Sequence, residues 1–156
     1  MAKIQIDIES LIMAMENHLG ELEWYLNTES GEIIPYTPFG DLKDEEYADE
    51  IETGSDRLIE VKTVPSEDGY RIMEDFIATL DDQHIQNVLS NAISQRRPFR
   101  RFKDALFEFP EVRNQWFAFY RGTMMEYGRE WLDSLSIDYE LADLPPSPPK
   151  SEHGAD

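Results

Sequence analysis

The sequence predicts an α+β protein, and three observations carry that reading. Before Pro65, short β-prone runs are set around turn residues. After it, apolar residues recur at helical spacing through four consecutive segments, and Pro98 and Pro110 stand where two of those segments would begin. The expected architecture is a small three-stranded antiparallel sheet from the N-terminal half, packed against a C-terminal four-helix region, plus an N-terminal helix. A chain of 156 residues is sufficient for one domain that buries about two-thirds of its unfolded surface. That single α+β domain is expected over residues 1–143, with a disordered Pro-rich tail over 144–156.

Taken in order, Asp7 is suited to cap a helix over about Ile8 to Leu19, where Ile8, Leu11, Ile12, Met15 and Leu19 line one face and Gly20 stops it. Leu22 to Asn27 and Glu32 to Tyr36 flank a turn ending in Gly31, the pattern of an antiparallel hairpin. Residues 40–55 form an acidic connection with room for a short helix. The run from Arg57 to Val64 alternates until Pro65 ends it, so it is assigned as a third strand, because an isolated hairpin is marginal in water. Ser66 and Asp81 open the next two helices, and Pro98 and Pro110 open the last two. In the final helix, Trp116, Tyr120, Met124, Tyr127, Trp131 and Leu135 form one stripe. Gly122 and Gly128 within it signal close packing or a bend.

Composition narrows the function classes. Apolar residues make up 40% and aromatics 12%, which excludes global disorder. There is no cysteine, so thiolate chemistry and disulfides are excluded. Neither a signal-like start nor a long apolar stretch is present, which points to the cytoplasm and away from a membrane. The net charge of −19 is unevenly placed: residues 1–95 carry 22 acidic and 5 basic groups, 96–129 carry 4 and 8, and 130–156 carry 7 and 1. Long-range repulsion from such a chain disfavours polyanionic partners, unless the basic segment supplies a local face.

Several short motifs together resemble Uncharacterised Protein Family 0158, a group of small bacterial proteins. They are Trp24, Tyr25 and Leu26 with Ser30, Gly31 and Glu32; the run Tyr70, Arg71, Ile72, Met73, Glu74, Asp75, Phe76; and Phe99, Arg100, Arg101, Phe102, Lys103, Asp104. The resemblance covers the chain from the first helix to Leu135 and excludes the tail. It implies a bacterial cytosolic α+β domain and assigns no catalytic residue, because the family name carries no activity.

The sharpest chemical feature is Arg96, Arg97, Pro98, Phe99, Arg100, Arg101, Phe102 and Lys103, five cations in eight residues with two phenylalanines among them. Such a segment suits phosphate or nucleic-acid contact. In so acidic a chain the favoured expectation is instead internal neutralisation, the arginines pairing with Glu67, Glu74, Asp75 and Asp104. Tyr70, Arg71, Glu74 and Asp75 make a second cluster, but adjacent helical residues point about 100° apart, so its carboxylates do not converge unaided. His18 and His84 lie in no metal motif. No nucleophile elbow, phosphate loop or dinucleotide fingerprint occurs. The aromatic stripe of the last helix is read mainly as core, with width enough to leave one ring exposed.

The expectation is therefore a noncatalytic interaction or regulatory protein without metal or cofactor, presenting an acidic surface to a basic protein partner. The alternative is a nucleic-acid-associated factor using Arg96 to Lys103. The third reading is a metal-dependent enzyme built on Tyr70, Glu74, Asp75 and Arg101.

Overall fold

The structure is a computed structural model and describes residues 3–17, 22–37 and 45–144. The chain divides into two compact units interleaved in sequence. The first takes Met1–Ala14, Leu19–Val61 and Ile137–Asp156, and the second takes Met15–His18 and Lys62–Ser136.

In the first unit, strand β1 (Ile4–Asp7) runs directly into helix α1 (Ile8–Met15). Asp7 caps that helix as its position predicts, accepting from the Ser10 backbone N at 2.9 Å and from its Oγ at 2.8 Å. The helix ends at Met15, short of the predicted Leu19. Residues 18–21, with His18 and the predicted Gly20 stop, lie outside the described residues.

The predicted hairpin is strands β2 (Glu23–Asn27) and β3 (Ile33–Tyr36), paired antiparallel from Glu23↔Tyr36 to Leu26↔Ile33. The buried Asn27 organises the turn, its side-chain oxygen accepting from the Glu29 and Ser30 amides at 2.8 and 3.1 Å. Gly31 closes it at φ +85°, where a Cβ would also stand 2.2 Å from the Gln5 carbonyl oxygen, so no side chain fits there. Helix α2 (Glu45–Thr53) is the short helix expected in the acidic connection. Strand β4 (Leu58–Glu60) is the expected third strand, set antiparallel against β2 to give the order β3-β2-β4. Arg57, just before β4, grips Glu50 of α2 with two side-chain hydrogen bonds. These bonds, with one from Ser55, lower the Glu50 carboxyl to about 2.

One further sheet was not expected. Strand β5 (Tyr139–Ala142) pairs in parallel with β1, from Ile4↔Tyr139 to Asp7↔Ala142. Asp7 fastens this pair as well, its second carboxylate oxygen accepting from the Leu144 amide at 2.9 Å.

The second unit holds helices α3 (Ser66–Ala78), α4 (Gln83–Ile93), α5 (Pro98–Leu106) and α6 (Pro110–Ser134). Pro98 and Pro110 occupy the first turns of their helices as predicted. Asp82, one residue beyond the predicted Asp81, caps α4 by accepting from the Ile85 amide at 3.1 Å. No side-chain hydrogen bond caps α3.

Three aromatic rings centre this unit's core. Phe102 of α5 meets Trp116 of α6 at 4.8 Å and Phe76 of α3 at 6.5 Å between centroids, and Phe76 lies 5.4 Å from Trp116, all edge-on. The row that α6 buries is Trp116, Met124, Gly128 and Leu132, so Tyr120, Tyr127, Trp131 and Leu135 of the predicted stripe are only half-buried. Gly122 faces open space, so close packing does not explain it. Among the described residues no helix is long and apolar enough to cross a membrane. The predicted tail lies, beyond Leu144, outside the described residues.

Candidate functional site

The arginine segment forms the turn between α4 and α5 and the outer face of α5. Pro98 fixes the helix start, and Arg97 before it adopts the left-handed conformation, φ 55° and ψ 57°. Arg101 ties the turn down twice: its Nε donates to the Arg96 carbonyl at 2.8 Å and its backbone N to the Arg97 carbonyl at 3.0 Å. One side of α5 is apolar, burying Phe102 and Leu106. At about 100° per residue the remaining side chains must point elsewhere, and Arg96, Arg97, Arg100, Arg101 and Lys103 are all exposed.

The expected internal neutralisation of these cations is largely not found. Arg100 approaches Asp104 at 3.9 Å, an i,i+4 pair open to solvent; such surface pairs contribute about 0.3–0.5 kcal/mol. Among the described residues, Arg96, Arg97, Arg101 and Lys103 have no carboxylate within 4.0 Å, and neither Glu67, Glu74 nor Asp75 pairs with the segment. Phe102 and Leu106 are what α5 turns toward the core, so its cations stay on the solvent side, where Glu67, Glu74 and Asp75 are exposed as well.

The second predicted cluster is not brought together. The Tyr70 hydroxyl donates to the Ile93 carbonyl at 2.9 Å, tying α3 to the end of α4. Arg71 pairs with Asp68 on its own helix at 3.4 Å. Glu74 and Asp75 are exposed. No group of three or more potential metal ligands converges among the described residues. His84 is exposed, with its ring 6.4 Å from that of Phe109.

Beside the cationic face opens a groove of about 570 Å³ within the second unit. Phe102, Trp116 and Met124 line its floor, and Phe99, Lys103 and Phe117 are among its remaining walls. At the edge, the Tyr120 hydroxyl donates to the Glu16 carboxylate; burial first, and that bond second, hold the Tyr120 hydroxyl well above its usual range.

Sequence reasoning missed one part of this surface. Phe107 and Phe117 are 65% and 52% exposed, and the Arg113 guanidinium lies over both rings, 4.7 and 5.0 Å from their centroids. Arg113 and Phe117 stand four apart on α6, one step from the stripe that was read as core. A second i,i+4 row beside the first was the available signal.

An α+β protein with a cationic helix face, exposed phenylalanines and an adjoining apolar groove is the class that fold and site define. The chain belongs to the Uncharacterised protein family (UPF0158), whose model matches residues 1–151. It is similar to a UPF0158 protein of the bacterium Pseudomonas aeruginosa, with 26% identity over 147 residues and 94% of each chain covered. No solved structure matches.

Proposed function

We propose that this is a binding protein whose α5 face contacts the phosphate backbone of a nucleic acid. One observation carries the reading: five cations on one turn and helix are exposed, and of these only Arg100 has a carboxylate within 4.0 Å among the described residues. The net charge of −19 argues against such a partner, but the balance within the second unit is far closer to even. The first unit carries 20 acidic and 4 basic side chains, the second 13 and 10. At physiological salt, charges separated by more than about 8 Å are largely screened. With a rise of about 1.5 Å per residue, Arg97 to Lys103 span only about 9 Å of helix, so a phosphate seated there meets a locally positive surface.

Neutralising three or four phosphates would give a log–log salt slope of about −2 to −3.5. Binding of a labelled oligonucleotide is therefore measured from low to physiological salt for the full chain and for the quadruple variant R96Q/R97Q/R100Q/R101Q. The slope is expected to collapse in the variant. Absent or salt-independent binding refutes the reading.

A second reading rests on the excess of carboxylates in the first unit, which would suit a basic protein partner. A low-salt pull-down with and without residues 145–156 tests it, and recovery of no protein counts against it.

A further inference from the structure

The phenylalanines beside the cationic face carry the argument further. Phe107 and Phe117 keep more than half of their surface in solvent, with the Arg113 guanidinium shared between the two rings. An exposed cation–π contact contributes only about 0.5–1 kcal/mol, a small return for leaving two large apolar rings in water. Phe117 also lines the groove with Phe99 and Lys103, and Arg113 links it to Phe107, so both rings adjoin the Lys103 side of α5.

Resting on the nucleic-acid reading above, we infer that this surface takes a single-stranded nucleic acid, with unpaired bases stacking on Phe117 and Phe107 while Arg97, Arg100 and Lys103 hold the phosphates. The choice of single strand follows from the chemistry of the rings. Bases in a duplex stack on one another and present only their edges in the grooves, whereas a phenylalanine ring offers a face and no hydrogen-bonding atom. An unpaired base can use such a face without the unstacking cost that a duplex imposes, and every base has one, so recognition is tolerant of sequence. Arg113 serves this arrangement by fixing both rings, and it adds a positive charge beside them.

The experiment uses the full chain with a fluorescent 12-nucleotide oligouridine, a 12-base-pair RNA duplex and, as competitor, a glutamate-rich peptide of equal charge. Phe117→Ala and the double variant F107A/F117A are compared with wild type and with Phe117→Leu, which keeps apolar bulk and removes the ring. Thermal melts verify that each variant is folded; truncating exposed side chains leaves the core rings in place.

The expected result is tighter binding of the single strand than of the duplex. Phe117→Ala and Phe117→Leu should both weaken it about 5- to 150-fold, since a base–aromatic stack is worth about 1–3 kcal/mol, and the salt slope should stay unchanged. Salt-dependent binding that favours the duplex, or that survives F107A/F117A intact, overturns the single-strand inference and leaves the backbone-contact reading standing. Failure of both nucleic acids to bind, or equal displacement by the acidic peptide, overturns the reading itself.

Discussion

Replacing Arg97 by glycine should stabilise the protein while weakening its binding. Arg97 sits at φ 55° and ψ 57° immediately before α5, is exposed, and has no carboxylate within 4.0 Å among the described residues. A non-glycine residue in the left-handed region costs about 1–2 kcal/mol. Glycine removes that strain but adds freedom to the unfolded chain worth about 0.5–1 kcal/mol. The expected net gain is about 0.5–1 kcal/mol, which for a chain of this size raises Tm by roughly 1–4 °C. The control is Arg97→Ala, which retains the Cβ and so the strain, and should stay within about 0.5 kcal/mol of wild type. Both variants lose the same cation, so both should lower the salt slope of single-strand binding by about 0.7. Urea titration followed by circular dichroism measures stability, and fluorescence anisotropy measures binding on the same samples. A glycine variant less stable than the alanine variant refutes the backbone reasoning. An alanine variant that binds with the wild-type slope refutes the role of Arg97.

Three other perturbations test the frame that holds the site. Phe102→Ala, which empties a fully buried position between Phe76 and Trp116, should cost about 3–5 kcal/mol in a chemical denaturation curve; a loss under 1 kcal/mol would mean the ring is not packed as described. Gly31→Ala places a Cβ 2.2 Å from a backbone oxygen at φ +85°, so a loss of at least about 2 kcal/mol is expected, with faster amide exchange in β1 and β2 as the localising measurement. The Glu50 carboxyl is lowered from 4.5 to about 2 by the Arg57 side chain. Its contribution to stability is therefore fully present above about pH 4.5 and lost as pH falls through about 2. Arg57→Gln should lower the melting temperature at pH 7 and flatten its fall between pH 4.5 and 2; an unchanged acid limb would show that Glu50 is not held by Arg57.

What the sequence made legible was whatever has a local cause. Pro98 and Pro110 announce helix starts through a missing amide proton, Asp7 through its short carboxylate, and Gly31 through a conformation other residues resist. Each of these signals acts within a few residues of its origin. The β1–β5 pair has no such cause, because Ile4 meets Tyr139 across most of the chain and each strand is only four residues long. The arginine segment was visible as composition, whereas its partners were not: the Phe102 and Leu106 period fixes which side of α5 is buried but not which neighbouring carboxylates lie within reach. The Phe107, Arg113 and Phe117 array was hidden for the related reason that aromatic residues at helical spacing read as core, and only coordinates tell a buried row from the exposed one beside it.

The parallel partnership of Ile4–Asp7 with Tyr139–Ala142 has a consequence for synthesis on the ribosome. Strand β1 emerges well before its mate, which leaves the exit tunnel only after all four helices of the second unit are out. Helices therefore have the chance to assemble while the first unit is still incomplete, and a nascent chain stalled before Tyr139 displays an unmated strand edge, the kind of edge that recruits other chains.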